Sequence, residues 1–262
     1  TGTFLEAMIG ESDHSNYELA SSTLALSTTT VLYIKGDEIA SSTSIKDSSF
    51  SGKAITANGN ARTSGNGKIG NALYFDGTGD YLSVADNDDW NFGAGDFTID
   101  FWVRFNSTPG QILFLDQING TDYQYVLWNT TRLEFGSFLA DVGKANYFFT
   151  WAPSLSTWYH IAMVRNGSNF YMFVNGISQS LTVGTAIGTN TLVNVANPLT
   201  IGDRSSGSFG LNGWMDETRV IKGTALTADQ IRQAYEYGLR AHQITIDFGA
   251  TLQPSDLISN ST

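Results

Sequence analysis

Apolar and polar residues alternate along much of this 262-residue chain, as they do in β-strands. The alternation is clearest in the segment 97–105. One side of that segment, when extended, carries the apolar residues Phe97, Ile99, Phe101, Val103 and Phe105. The other side carries Thr98, Asp100, Trp102 and Arg104. We predict a strand with one buried side, and a second side on which an aromatic ring, an acid and a base favour a functional surface.

Similar short segments recur along the chain and are separated by turn signals such as Asn-Gly and Asp-Gly. In the first half we predict strands at 31–34, 54–57, 72–75, 81–84, 97–105, 111–116, 123–129 and 132–138. In the second half we predict a hairpin of 158–165 and 169–175, then strands at 198–202 and 213–221. Many short strands at this spacing predict an all-β protein, with its strands in a two-layer antiparallel sandwich.

One segment, 227–237, has a helical pattern. Thr227 is suited to cap its N-terminus together with Gln230, and Gly238 is expected to end it. Outside this module we predict that residues 1–30 are an N-terminal arm or linker with an apolar patch at 4–9. The residues 239–262 form a C-terminal arm in which 244–248 alternate like one extra strand. The predicted organisation is therefore a module at 31–238 between two extended terminal arms.

Composition narrows the classes of partner. Apolar residues make up 41% of the chain, which is enough for one large buried core. The 25 acidic and 14 basic residues give a net charge of −11, which argues against nucleic acid or an anionic lipid surface as a partner. The chain has no cysteine, which excludes disulfides, thiolate metal sites and a cysteine nucleophile. No apolar run is long enough to insert into a membrane.

Several motifs follow one another in a recognisable order. They include Asp-Phe-Thr-Ile-Asp-Phe-Trp-Val at 96–103 and Gly-Trp-Met-Asp-Glu-Thr-Arg-Val at 213–220. The others lie at 68–82, 158–165, 170–176 and 199–202. In this order the motifs resemble the laminin-G-like, concanavalin A-like jelly-roll superfamily, and in particular its modules in bacterial, archaeal and phage surface proteins. The resemblance implies two stacked antiparallel sheets, one of them concave, and a role in glycan binding, adhesion or virion structure more often than in catalysis.

A glycan site needs aromatic rings that stack on sugar faces and polar groups that bond the hydroxyls. The candidate ligand-binding residues are Asp100, Trp102, Arg104, Tyr125, Trp128, Asn129, Trp151 and Trp214. The alternative for each ring is a place in the core of the sandwich, where aromatic residues usually lie.

A calcium ion that holds loops together is common in the family that the chain resembles. The candidate ligands are Asp76 and Asp80, in an Asp-Gly-x-Gly-Asp turn, and Asp216. The alternative is that Asp76 and Asp80 bond their own backbone, as turn residues often do.

No constellation for catalysis is present in the sequence. The glycosidases of the family carry acids spaced along one strand face, and this chain has no such run. Asp216 and Glu217 are adjacent, so in a regular strand they point to opposite faces. Of the three histidines, two lie in the arms and His160 lies in the hairpin, where a structural role is expected. We therefore predict a protein that is not an enzyme.

Two functions agree with these observations. The first is a glycan-binding or adhesion module on a cell surface, on a virion or elsewhere outside the cell, with calcium as a possible stabiliser. The second is a structural subunit of a surface assembly, such as a phage decoration or fibre protein or a cell-surface filament. In that case the terminal arms would dock on neighbouring copies of the chain.

Overall fold

The structure is a computed structural model that describes residues 27–108, 110–207 and 209–240. The predicted apolar patch at 4–9 and the predicted strand at 244–248 lie outside these ranges. The described residues form two antiparallel sheets, a short 3₁₀ helix (Asp88–Trp90) and one α-helix at the C-terminal end, α1 (Ala228–Arg240). The all-β fold class is therefore confirmed.

The strands are short and most of them are joined by tight turns. In chain order they are β1 (Thr30–Ile34), β2 (Ile55–Asn58), β3 (Arg62–Ser64), β4 (Ala72–Asp76), β5 (Tyr81–Val84), β6 (Phe97–Ser107), β7 (Gln111–Asn119), β8 (Asp122–Asn129), β9 (Arg132–Leu139), β10 (Val142–Thr150), β11 (Trp158–Asn166), β12 (Asn169–Val174), β13 (Ile177–Ser178), β14 (Thr182–Thr185), β15 (Leu199–Ile201) and β16 (Asn212–Lys222).

Each sheet has eight strands. In sheet I the order is β13-β12-β11-β6-β16-β4-β3, and β1 also pairs with β16. In sheet II the order is β14-β10-β9-β8-β7-β15-β5-β2. The core lies between the sheets, and the five apolar residues predicted on one side of β6 are all buried in it. The alternating pattern of β6 thus correctly predicted which residues form its inner face.

Strands β7 to β10 form a continuous meander in the middle of sheet II. Two-residue turns join them at 120–121, 130–131 and 140–141. Thr130, Ala140 and Asp141 adopt positive φ values in these turns, a conformation that tight hairpins require but that these residues seldom signal. The prediction missed β10 for this reason, and also because Gly143 and Lys144 interrupt its alternation beside a register shift.

The helix α1 packs across the outer face of sheet I. Its N-terminus has the predicted capping box, in which the Thr227 amide donates to Gln230 and the Gln230 amide donates to the Thr227 hydroxyl. The expected stop at Gly238 was wrong, because the helix continues to Arg240. Gly238 is needed for a different reason: a Cβ there would collide with Cζ2 of Trp102.

Candidate functional site

Asp100 and Trp102 do not lie on an open surface. Asp100 is 3% exposed and Trp102 is 2% exposed. The helix α1 covers both, with Tyr235 stacked on Trp102 at 5.6 Å between ring centroids. The prediction that these two residues contact a ligand is therefore corrected. The polar side of β6 was identified correctly, but the sequence pattern did not show that a helix lies on it.

Asp100 is instead one partner of a buried ion pair. Its Oδ1 accepts from Nε of Arg219 at 2.9 Å, and its Oδ2 accepts from Nη2 of Arg219 at 2.7 Å. Nε2 of His160 lies 3.3 Å from the same Oδ2. Burial by itself would raise the pKa of Asp100, but Arg219 and His160 together lower it to about 2. Asp100 therefore joins β6, β11 and β16 and is not available to a ligand.

Two of the predicted tryptophans belong to the packed interior. Trp128 is buried in the main core, and its Nε1 donates to the carbonyl oxygen of Trp151 at 3.2 Å. Trp151 is half-buried and packs against the same core. The alternative reading, a place in the core, therefore holds for Trp128. Arg104 and Trp214 are half-exposed and lie on the outer face of sheet I, away from the groove described next.

Tyr125 and Asn129 are the predicted residues that line an open groove. The groove lies on the outer face of sheet II and has a volume of about 280 Å³. We call it the β7–β10 groove. Its lining residues are Gln111, Leu113, Tyr125, Leu127, Asn129, Arg132, Glu134, Arg204 and Phe209.

The ring of Tyr125 lies flat on the strand beside it. A Cβ at Gly136, the cross-strand partner of Tyr125, would overlap the ring at Cζ. Tyr123 and Phe138 stack beside Tyr125, with interplanar angles of 11° and 14°. Glycine at 136 therefore allows a flat aromatic floor next to the groove, because any larger residue would lift the tyrosine off the sheet.

A buried carboxylate holds the polar end of the groove. Glu134 is 4% exposed, and its Oε1 accepts from the Tyr125 hydroxyl and from Nδ2 of Asn146, each at 2.7 Å. Its Oε2 accepts from Nε of Arg132 at 2.8 Å. The guanidinium of Arg132 also stacks on the ring of Phe148, at 4.3 Å from the centroid. These contacts fix the tyrosine and the arginine in place.

A second arginine reaches the groove from the loop after β15. Nε of Arg204 donates to Oδ2 of Asp116 at 2.8 Å, and the guanidinium lies 5.1 Å from the ring centroid of Phe209. Asp116 is 1% exposed, and its desolvation raises its pKa although Arg204 acts in the opposite direction. Oδ1 of Asp203 shapes the loop by accepting from the amides of Arg204 and Phe209.

The sequence analysis did not identify Arg132, Glu134, Arg204 or Phe209. Arg132 and Glu134 are two residues apart on β9, so they lie on one face, and this spacing was a usable signal. The loop that carries Arg204 and Phe209 is brought to the groove by a long-range contact, in which the Leu113 amide donates to the Phe209 carbonyl. No local pattern could have shown that contact.

The three candidate calcium ligands bond N–H groups. Asp80 is buried and accepts from the amides of Asn60 and Asp76. Asp76 accepts from the Thr78 amide, within its own turn, and from the side chain of Asn60. These bonds favour the stated alternative, in which the two carboxylates hold the turn.

Asp216 is also enclosed by backbone donors. Its oxygens accept from the amides of Lys68, Ile69 and Glu217. Burial, the largest effect, raises its pKa to about 9 although these amides act in the opposite direction. Within the described ranges no group of three or more histidine, cysteine or acidic residues is placed to hold a metal ion. Oxygens that already accept N–H groups do not fit a calcium cage of six or more oxygens, so the calcium that the resemblance implies has no support in these contacts, and a chelation experiment tests it.

The sequence matches the family model of the Concanavalin A-like lectin/glucanases superfamily over residues 75–232. No curated protein matches the chain. In the part of the chain that the structure describes, no helix is long and apolar enough to cross a membrane.

Solved structures share the fold at low sequence identity. The receptor binding domain of botulinum neurotoxin C/D mosaic serotype has a TM-score of 0.62 and 13% identity, over 80% of this chain and 51% of that chain. The binding domain of Paraclostridial Mosquitocidal Protein 1 has a TM-score of 0.61 and 14% identity, over 80% and 53%. This chain thus spans about half the length of such toxin domains.

A smaller domain matches over nearly its whole length. Domain 4 of an extracellular arabinanase from Geobacillus stearothermophilus, solved in complex with arabinotriose, has a TM-score of 0.59 and 16% identity. The match covers 78% of this chain and 96% of that domain.

Proposed function

The chain belongs to the Concanavalin A-like lectin/glucanases superfamily, and on that basis we propose that it is a non-catalytic glycan-binding module whose site is the β7–β10 groove. The observation that carries the proposal is the lining of the groove. Apolar and aromatic side chains alternate there with two arginines, each held in place by a buried carboxylate.

This lining suits a sugar ring. Leu127 and Phe209 are partly exposed and offer apolar contacts to the C–H faces of a pyranose or furanose. Asn129 and Gln111 bond each other at 3.0 Å and keep further donors and acceptors for hydroxyl groups. Each guanidinium likewise has N–H groups beyond those bonded to its carboxylate. Because the arginines are ion-paired in the free protein, the site is ordered before a ligand binds, which lowers the entropy cost of binding.

The carboxylates of this region are poorly placed for hydrolysis. A glycosidase of the common kind needs two carboxyl groups that reach the scissile bond. Glu134 and Asp116 are almost fully buried, and each is bonded to an arginine. We therefore propose that the groove binds a glycan and leaves it intact.

The similar structures support the same proposal. One of them was solved with arabinotriose and belongs to an enzyme described as extracellular, another is described as a receptor binding domain, and a third as a binding domain. We propose that this module also acts outside the cell. The alternative function, as a subunit of a virion or filament, depends on arms that lie largely outside the described residues, and it stays a prediction.

Replacing Tyr125 tests the proposal. A glycan array first identifies the ligand, with arabinotriose included as a probe. We expect Tyr125→Ala to weaken binding of that ligand at least tenfold, which corresponds to about 1.4 kcal/mol, because it removes the aromatic floor and one donor to Glu134. Isothermal titration calorimetry measures the change.

Tyr171→Ala is the matched control. Tyr171 is a tyrosine that is 40% exposed, and it lies on β12 of sheet I, away from the groove. Its replacement is expected to leave the affinity unchanged. Equal effects of the two substitutions, or an array on which no sugar binds, would contradict the proposal.

A further inference from the structure

A second row of aromatic and cationic side chains crosses the outer face of sheet I. One residue from each of five neighbouring strands lies in a line, because each is the cross-strand partner of the next. The pairs are Arg62 with Tyr74, Tyr74 with Trp214, Trp214 with Arg104, and Arg104 with Trp158. We call this line the sheet I row, made of Arg62, Tyr74, Trp214, Arg104 and Trp158. At the usual strand spacing it is about 19 Å long.

Four members of the row, all except Trp158, contact one another through their rings and guanidinium groups. The guanidinium of Arg62 lies 4.8 Å from the ring centroid of Tyr74, and that of Arg104 lies 4.8 Å from the ring centroid of Trp214. The rings of Tyr74 and Trp214 are 5.2 Å apart. All five side chains are half-exposed. The row is therefore an ordered surface of two cations and three aromatic rings.

The two cations of the row lack acidic partners. In the described part of the chain, the Arg104 side chain makes no hydrogen bond or ion pair, and its Nε is buried without an acceptor. Arg62 donates from Nη1 to a single backbone oxygen, that of Asn60. The carboxylates next to the row on the same face, Asp76 and Asp216, are bonded to N–H groups as described above. In a protein with a net charge of −11, two unpaired guanidinium groups on one face are unexpected.

Trp214 adds a further unused donor. Its Nε1 is buried and makes no hydrogen bond within the described residues. Buried donors are usually paired, so a tryptophan and an arginine without acceptors at adjacent positions call for an explanation. The Arg104 guanidinium stacks on the Trp214 ring and makes no hydrogen bond within the described residues, so its N–H groups are available to an acceptor placed above the row.

We propose that the sheet I row is a second binding site, independent of the β7–β10 groove, for an anionic saccharide that carries carboxylate or sulfate groups. The rings receive the sugar faces, and Arg62 and Arg104, about 14 Å apart by strand spacing, bind anionic groups on different sugar units. The groove has no comparable free cation, because each of its arginines is paired with a buried carboxylate. A nucleic acid strand has similar groups, and the DNA arm of the experiment below distinguishes it from an anionic sugar.

Binding of anionic and neutral oligosaccharides tests the proposal. The probes are a heparin hexasaccharide, hexagalacturonate and cellohexaose, with a single-stranded DNA dodecamer as a fourth arm, each measured by calorimetry at 50 and 150 mM NaCl. We expect the full chain to bind at least one of the two anionic sugars more tightly than cellohexaose. We expect Arg62→Gln/Arg104→Gln to bind that sugar about tenfold more weakly or worse, since it removes two charged donors.

The control variant Lys46→Gln/Lys144→Gln removes the same charge from positions outside the row and is expected to bind as the unmodified chain does. Arg62→Gln alone is expected to lose part of the affinity for the anionic sugar. Because Arg62 lies at the edge of the sheet, this single variant keeps the test valid if the double variant does not fold. The proposal would be overturned if the row variant and the lysine control lost affinity equally. It would also be overturned if DNA bound more tightly than both anionic sugars, or if neither anionic sugar bound. Tyr125→Ala separates this site from the groove: if it abolishes binding of the anionic sugar and the row variant does not, the sugar binds in the groove and the row is not a site.

Discussion

Neighbouring residues on one strand face have different roles in this protein. Trp102 and Arg104 lie two residues apart on the outer side of β6, yet Trp102 is buried beneath α1 and Arg104 is half-exposed beyond the helix. Asp100, on the same side, is enclosed by Arg219 and His160. The residue type and its face are local properties, whereas exposure depends on which distant segment lies above.

Because of the Asp100–Arg219 pair, we expect the folded protein to become less stable in acid. The pKa of Asp100 in the folded protein is about 2, below the usual aspartate value of 3.8. A lowered pKa stabilises the fold at pH values above the unfolded pKa, and this stabilisation is lost as the pH falls from about 4 to about 2. We expect the pair to contribute about 2 kcal/mol of this pH-dependent stability.

The measurement is the free energy of unfolding in urea between pH 2 and pH 5. The control is Asp100→Asn/Arg219→Met, which removes both charges, since removing one alone leaves the other buried without a partner. Between pH 4 and pH 2 the free energy of unfolding should fall less in the double variant than in the unmodified protein. If the free energy of unfolding fell equally in both proteins, the ion pair with Arg219 would not lower the pKa of Asp100.

At the scale of the element, α1 shows how tertiary contact can override a local signal. The capping box at Thr227 and Gln230 forms as the sequence predicts, because it depends on residues three apart. Gly238 does not end the helix, because its missing side chain allows the helix to lie against the indole of Trp102. A glycine near a helix end fits either role, and the sequence alone does not distinguish them.

Gly238→Ala is therefore expected to destabilise this protein, although the same change would stabilise an isolated helix. In an exposed helix interior the change stabilises by about 1 kcal/mol. Here the new Cβ would strike Trp102, and we expect a loss of about 1–3 kcal/mol in the free energy of unfolding.

Thermal and urea denaturation of four proteins measure this effect: the unmodified chain, Gly238→Ala, Trp102→Phe and the double variant. Because the smaller phenylalanine ring leaves room for a Cβ, Gly238→Ala should cost less in the Trp102→Phe background. A stabilising effect of Gly238→Ala in the unmodified background would contradict the packing described here.

At the scale of the whole molecule, the sandwich presents two outer faces that differ in how they are covered. On sheet I, α1 covers part of the face and leaves the sheet I row at its side. On sheet II, the loop after β15 reaches the meander and borders the groove. The fold thus places a groove with paired arginines and a row with unpaired arginines on opposite sides of one core.

The whole molecule should not depend on calcium. Because the oxygens of Asp76, Asp80 and Asp216 accept backbone and side-chain N–H groups, we expect 5 mM EDTA followed by 5 mM CaCl₂ to change the melting temperature by less than about 2 °C. Differential scanning calorimetry measures the shift, with MgCl₂ as the control cation. A larger rise that calcium causes and magnesium does not would show that the carboxylates rearrange around an ion.

The sequence by itself determined the strand periodicity, the inner face of β6, the helix start and the all-β class, because each follows from residues that are neighbours along the chain. Of the predicted ligand-binding residues, only Tyr125 and Asn129 line the groove. Tertiary structure alone decided which polar faces are open, where Arg204 meets Asp116, and why Gly136 and Gly238 are glycines. The reason is physical: burial and pairing at these positions depend on segments that are far apart in sequence and meet only when the sheets stack and the helix packs across one of them.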